Sequence, residues 1–145
     1  MIAVIQRVTR AKVTVGSEEI GRIGRGLVVL LGVAKGDGEK QAKELTEKIV
    51  KMRIFSDEKG KMNKSAAEVG GEMLVVPQFT LMADTNAGRR PSFSGAAEPE
   101  TARRLYQLFI ENVKIKGIPV KSGKFGAYME VELANDGPVT LIVNA

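Results

Sequence analysis

The sequence contains neither cysteine nor histidine, and these two absences exclude several common catalytic chemistries. A chain without cysteine has no disulfide, no thiol redox centre and no cysteine nucleophile. Without histidine it has no Ser-His-Asp triad, and the two absences together exclude a Cys/His zinc site. Aromatic residues make up only 5% of the chain, so a stacking platform for unpaired bases is not expected.

Long apolar runs are absent as well. The longest run, residues 26–34, is much shorter than the ~20 residues that a membrane-spanning helix needs. The first residues, MIAVIQRV, reach Arg7 before the apolar core of a signal peptide would be complete. We therefore expect a cytoplasmic protein with no membrane partner.

The charge that is present is distributed unevenly along the 145 residues, whose net charge is +5. Residues 86–126 contain eight basic and three acidic side chains, and so they carry the whole of that net charge. A concentrated basic segment suits a polyanion, and RNA is the commonest large polyanion of the cytoplasm. The alternative, which charge alone leaves open, is the solvated surface of an ordinary basic protein.

The hydrophobic pattern predicts a single α+β domain over residues 1–145. Strands are predicted at residues 2–8, 12–15, 19–23, 27–33, 54–55, 118–120, 127–133 and 139–143, with a further strand inside 72–80. Helical spacing of apolar residues predicts one helix over 39–52 and a second that begins at Pro99. Residues 134–138 have the composition of a tight turn that joins the last two strands.

Two helices cannot cover both faces of so many strands. The predicted architecture is therefore a compact set of mixed and antiparallel sheets with two main helices, in β/β/α layers. The sheet surface that the helices leave uncovered must be buried by sheet-on-sheet packing or by a dimer interface.

Two short motifs are the candidates for chemistry. Without histidine or cysteine, acid–base catalysis falls to Asp, Glu, Lys or Tyr, and nucleophilic attack falls to Ser or Thr. Gln78-Phe79-Thr80 is the first motif, because a buried strand ends there in polar residues beside the irregular basic segment. Gly137-Pro138 is the second. Local pattern alone favours a plain strand end and an ordinary hairpin turn at these two places.

Several segments in fixed order resemble the D-aminoacyl-tRNA deacylases, the D-tyrosyl-tRNA deacylase family, over essentially the whole chain. They are MIAVIQRVTRAKV, GLVVLLGV, RIFSDEKGKMNKS, LVVPQFTL, GRRPSFSGAAEPETA and KSGKFGAYMEVELANDGPVT. The resemblance implies a cytoplasmic hydrolase of translation quality control. Such an enzyme cleaves the ester of D-aminoacyl-tRNA, and of mischarged glycyl-tRNA, without a cofactor or metal. The implied partners are tRNA and a second subunit, with the active site at the homodimer interface.

The resemblance also implies roles for individual residues. The catalytic motif corresponds to Gln78, Phe79 and Thr80, and the motif that rejects L-amino acids, a Gly-cis-Pro pair, corresponds to Gly137 and Pro138. Arg7, Phe125 and Met129 match positions that the family places around the substrate. The chain departs from the family at Pro77, where a serine is usual, so no serine nucleophile is available there.

Two questions stay open at this point. Thr80 is expected to be a positioning hydroxyl, with the backbone N–H groups of Phe79 and Thr80 as oxyanion donors, and a nucleophilic Thr80 is the alternative. The alternative functions are a non-catalytic tRNA-binding module of the same fold and an esterase for small D-amino acid esters.

Overall fold

The main sheet is organised around one long strand at the start of the chain. The computed structural model describes residues 1–86 and 88–145. In these residues the order of elements is β1 (Ile2–Val15), β2 (Glu18–Ile23), β3 (Gly26–Gly32), α1 (Glu39–Val50), β4 (Phe55–Ser56), β5 (Met62–Lys64), β6 (Glu72–Pro77), a 3₁₀ segment (Phe79–Met82), α2 (Pro99–Ile115), β7 (Val120–Ser122) and β8 (Glu130–Asn144).

Strand β1 pairs along both of its edges. On one edge its first half pairs antiparallel with β3 and its second half with β2. On the other edge β8 runs antiparallel to it over almost its full length. Strand β3 continues the sheet in parallel pairing with β6, and β6 in parallel pairing with β7. The predicted α+β class with mixed sheets and two main helices is confirmed.

Two hydrophobic cores hold the layers together. The larger lies between the helices and one face of the sheet, and it includes Leu45, Ile49 and Phe109. The smaller, which includes Val13 and Leu74, is enclosed where β1 and β2 curl over β3 and β6. The sheet therefore packs on itself, which is one of the two predicted ways of burying the face that the helices leave uncovered. Strand β3 is buried almost throughout because it contributes to both cores.

Several predicted boundaries were wrong; the strand predicted at 118–120, for example, is β7 at Val120–Ser122. Residues 2–8 and 12–15 form one strand, because β1 changes partner from β3 to β2 without interruption. Residues 56–65, which show no strand pattern, contain β5, which pairs with β4 as a small hairpin. The last two predicted strands are halves of β8, and residues 134–138 do not reverse the chain.

The segment 136–139 leaves the β1 ladder without ending the strand, and we refer to it as the β8 excursion. Thr140 lies opposite Gln6 and Asn135 lies opposite Val8, so the residues between them have no partner on β1. The side chain of Asn135 closes the excursion, since its Oδ1 accepts the backbone N–H of Val139 at 2.7 Å. Gly137 and Pro138 therefore project from a strand that is fixed on both sides.

Candidate active site

The candidate site begins where the buried strand β6 ends. Pro77 is the last residue of β6, opposite Leu31 of β3, and the N–H of Gln78 extends this pairing by donating to the Leu31 carbonyl at 2.8 Å. The chain then turns into the 3₁₀ segment that begins at Phe79. A strand that ends in this way fixes the backbone of the motif while leaving its side chains near the surface.

Gly32, at the end of β3, allows the 3₁₀ segment to lie directly against the sheet. A Cβ at this position would lie 2.9 Å from Cε of Met82 and 3.1 Å from the Gln78 carbonyl oxygen. Because any side chain here would displace the motif, the glycine is needed for close packing.

The motif presents a hydroxyl, an amide and two backbone N–H groups together. Nε2 of Gln78 donates a hydrogen bond to Oγ1 of Thr80, so the two polar side chains are linked. No backbone hydrogen bond among the described residues has the N–H of Phe79 or Thr80 as its donor, as expected for the first residues of a helical turn. Two donors held on a rigid backbone suit a developing negative charge.

A cavity of about 460 Å³ lies over this motif. Its walls are mainly apolar, and among the described residues it has no carboxylate, amine or guanidinium in its lining. The lining consists of Leu31, Val33, Val76, Pro77, Gln78, Phe79, Thr80, Ala97, Ala102, Tyr106, Phe125, Gly126, Ala127, Tyr128, Met129 and Val131. Five of the eight residues expected around the substrate, namely Gln78, Phe79, Thr80, Phe125 and Met129, are therefore brought together.

Tyr106 forms part of the cavity wall but does not have the properties of an acid–base group. Its hydroxyl donates to the carbonyl of Val75 at 2.8 Å and lies 3.3 Å from that of Gly123. Burial raises the pKa of the phenol well above its usual value. Tyr106 therefore stays protonated near neutral pH and ties the end of β6 to the segment after β7.

Phe125 and Met129 are held against this wall by specific contacts. The Phe125 ring centre lies 6.0 Å from that of Tyr106, and the guanidinium of Arg103 lies over the Phe125 ring at 5.3 Å from its centre. Sδ of Met129 lies 3.3 Å from the backbone nitrogen of Lys124. These contacts give the apolar side of the cavity a defined shape.

Arg7, Gly137 and Pro138 do not line the cavity of their own chain. Arg7 is 8% exposed, and its guanidinium donates to the carbonyls of Asp136 (2.9 Å) and Ile54. Its Nε also lies 3.5 Å from the Asp136 carboxylate. The Gly137–Pro138 peptide bond is cis, and both residues are exposed. Arg7 is thus a support for the β8 excursion, and not a wall of the cavity in the same chain.

Sequence reasoning missed three aromatic features of the site. The apolar spacing of α2 identifies Tyr106 only as a core residue, because helical spacing shows burial but not which cavity a buried ring borders. Tyr128 is 94% exposed at the cavity edge, and Phe79, 58% exposed, packs edge-to-face with Phe93 at 5.1 Å between ring centres. The low aromatic content gave no sign that these rings gather at one place.

The described residues offer no evident metal site and no helix that is both long and apolar enough to cross a membrane. The side chains that line the cavity supply one amide, one threonine hydroxyl and two phenols as polar groups. Such a set suits the binding and orientation of an activated ester more than the activation of a poor electrophile.

Comparison with known proteins gives a consistent result. A family model described as D-Tyr-tRNA(Tyr) deacylase matches residues 4–144. The D-aminoacyl-tRNA deacylase of Idiomarina loihiensis is 57% identical over 140 residues, which are 97% of this chain and 97% of that protein. That of Desulfatibacillum aliphaticivorans is 57% identical over 145 residues, covering 100% of this chain and 99% of that protein.

Two solved structures share the fold. The c-Myc DNA Unwinding Element Binding Protein superposes with a TM-score of 0.94 at 45% identity, covering 100% of this chain and 99% of that chain. A probable eukaryotic D-amino acid tRNA deacylase superposes with a TM-score of 0.83 at 18% identity, covering 99% and 98% of the two chains.

Proposed function

The chain belongs to the D-Tyr-tRNA(Tyr) deacylase family, a family of hydrolases, and we propose that it hydrolyses the ester between a D-amino acid and the terminal adenosine of tRNA in the cavity over Gln78-Phe79-Thr80. The family assignment confirms the prediction made from the sequence. The observation that carries the proposal is the pair of N–H groups at Phe79 and Thr80. They have no backbone acceptor within the described residues, and they belong to residues that line a cavity whose described lining is uncharged.

The reaction needs little from the protein beyond positioning. Water adds to the ester carbonyl carbon, and the negative charge that develops on the carbonyl oxygen is stabilised by the N–H groups of Phe79 and Thr80. The bond from the carbonyl carbon to the ribose oxygen then breaks, and that oxygen takes up the proton that the water lost. The neighbouring ribose hydroxyl is the natural carrier of this proton. One oxyanion donor contributes ~2.7–4 kcal/mol where such donors have been removed from enzymes.

Thr80 is proposed as a positioning residue. Its hydroxyl oxygen accepts the hydrogen bond from Gln78, which leaves its own proton for the water or the substrate. A nucleophilic threonine needs a base within hydrogen-bonding reach. The described cavity lining supplies no carboxylate or amine, and Tyr106 is engaged with backbone carbonyls. Pro77 likewise offers no hydroxyl at the position where the family has serine.

Selection against L-amino acids is proposed to come from Gly137 and Pro138 of a second subunit. In their own chain these residues lie away from the cavity, exposed on the β8 excursion. Strand β8 also leaves Leu141 and Ile142 exposed (37% and 68%), next to the excursion. A dimer formed through this surface would insert each Gly137–Pro138 pair into the partner's cavity. Its carbonyls would accept the substrate ammonium group and its backbone would exclude an L side chain.

The experiment compares hydrolysis of D-tyrosyl-, L-tyrosyl- and glycyl-tRNA with that of the methyl ester of D-tyrosine. The proposal expects release of D-tyrosine and glycine from tRNA, with L-tyrosyl-tRNA spared because only its side chain meets the Gly137–Pro138 wall. Light scattering in the same buffer determines whether the protein is a dimer. Protection of glycyl-tRNA would contradict the steric wall.

The same experiment separates the alternative functions. Hydrolysis of both the tRNA ester and the free methyl ester at similar kcat/KM would indicate a general esterase. Binding of tRNA with no hydrolysis of any ester would indicate a non-catalytic module. The first explanation for the missing activity would be Pro77 at the usual serine position, and Pro77→Ser would test it.

A further inference from the structure

A second concavity, of about 560 Å³, runs along α2 beside the candidate active site, and we refer to it as the α2 groove. One side is formed by α2 and the other by the residues that follow β7. Tyr106 and Phe125 line both the α2 groove and the active-site cavity, so the two concavities adjoin at these rings. A ligand seated in the α2 groove would therefore end beside the cavity.

The α2 groove collects cations that have no ionic partner. Arg103, Lys114 and Lys124 line it, and none of them forms an ion pair within the described residues. Glu111 is the one carboxylate in the described lining. The site thus combines three cations with one anion on a surface open to solvent.

Other cations of α2 are neutralised by α1. Arg104 pairs with Glu39 at 2.9 Å, and Lys116 pairs with Glu47. The hydrogen bond from Lys116, together with that from Lys51, lowers the pKa of Glu47 to about 2. Of the eight cations in residues 86–126, the fold therefore pairs two with α1 and places three along the groove.

We propose that the α2 groove binds the sugar-phosphate backbone of the 3′ strand of tRNA as it enters the active site, an inference that rests on the proposed function. From Arg103 to Lys114 the helix rises about 16 Å, since each residue adds ~1.5 Å. That length corresponds to roughly five stacked nucleotides at ~3.4 Å each. The terminal adenosine would lie at the Phe125 end, and the preceding phosphates would follow α2 toward Lys114.

The remaining groove residues fit the same ligand. Gln107 and Ser122 line the groove between the cations and can donate hydrogen bonds to phosphate or ribose oxygens. The guanidinium of Arg103 lies over the Phe125 ring, which borders both the groove and the cavity, so its charge is held where the two adjoin. A phosphate held there would place the next nucleotide over the catalytic motif.

The test measures equilibrium binding of unacylated tRNA between ~50 and ~300 mM KCl, the range in which phosphate binding depends steeply on salt. The groove variant is Arg103→Gln/Lys114→Gln/Lys124→Gln. The matched control is Lys43→Gln/Lys59→Gln/Lys61→Gln, which removes the same charge from exposed lysines that have no ion pair in the described structure. Each phosphate that is no longer neutralised should reduce the slope of log K against log salt by ~0.7, so the groove variant should lose about 2 and the control almost nothing.

Equal slopes for the two triple variants would overturn the groove assignment. So would equal competition by a DNA hairpin of the same sequence, because the groove would then recognise nucleic acid in general. Hydrolysis is measured separately, as the ratio of kcat/KM for D-aminoacyl-tRNA to that for the D-aminoacyl ester of adenosine. The groove variant should lower this ratio. If the native protein hydrolyses neither substrate but the binding slopes still differ as expected, the proposed function fails and the groove assignment stands.

Discussion

Arg7 offers the most direct test of how the fold holds the β8 excursion. Its buried guanidinium bonds to the carbonyls of Asp136 and Ile54 and lies near the Asp136 carboxylate. A hydrogen bond to a charged group contributes ~1.5–3 kcal/mol. The carboxylate is 43% exposed, so that pair adds ~0–1 kcal/mol at most. The two hydrogen bonds and the ion pair together give ~3–7 kcal/mol, so Arg7→Met should lower the free energy of unfolding by at least ~3 kcal/mol.

Arg7→Lys separates charge from geometry. A single ammonium group can reach one of the two carbonyls but not both, because it lacks the fork of the guanidinium. The lysine variant should therefore lose about half as much stability as the methionine variant. Arg10→Met, an exposed neighbour on β1, is the matched control and should change stability by less than ~0.5 kcal/mol.

The assay is urea unfolding of all three variants, followed by rates on D- and L-tyrosyl-tRNA. If the excursion supplies the wall against L-amino acids, loss of one anchoring bond should lower the ratio of D to L rates by about tenfold or more. A Met variant as stable as the Arg10 control would refute the anchoring role. A destabilised variant with full D-over-L selectivity would refute the link to chirality.

Three further predictions concern the site itself. Thr80→Ala should slow deacylation by about tenfold at most, because it removes one hydrogen bond of ~0.5–1.5 kcal/mol. The control Thr85→Ala should leave the rate unchanged. A covalent acyl-Thr80 adduct in mass spectrometry would show that Thr80 is a nucleophile instead. Gly137→Ala should destabilise the protein by ~1–3 kcal/mol in urea, since Gly137 has φ of +144° and a Cβ would lie 2.7 Å from Cγ2 of Val139; unchanged stability would contradict this. Deacylation should persist after exhaustive dialysis against EDTA, because the sequence has no histidine or cysteine ligands. A loss of activity that added zinc restores, with tRNA folding controlled, would refute this prediction.

The elements that could be predicted from the sequence are those in which the spacing of apolar residues matches the set of residues that the fold buries. The helical spacing of apolar residues predicted α1 and the start of α2 at Pro99, and the apolar run 27–33 predicted the buried strand β3. The motif at Gln78 was visible because polar residues follow directly after the buried strand β6.

The β8 excursion shows why features that depend on distant parts of the chain could not be predicted. Asn135, Asp136, Gly137 and Pro138 are residues that also favour tight turns, and local chemistry does not say whether the chain reverses or continues. That choice is made by β1, which pairs with both halves of β8. Which cations of residues 86–126 are paired could not be predicted for a similar reason. The carboxylates of α1 that neutralise Arg104 and Lys116 come from a distant part of the chain.

The double anchorage of β8 has a consequence for how this part of the protein can evolve. Val131 and Leu133 pack on the smaller core, whereas Val143 packs on the larger one, and each half has its own ladder with β1. An inserted or deleted residue beside the exposed Gly137–Pro138 pair would therefore change the length of the excursion without shifting the register of either ladder, so the side chains of the paired residues would keep their faces. Selection can thus act on the length of the excursion as well as on its residues, with the register of the two ladders unaffected.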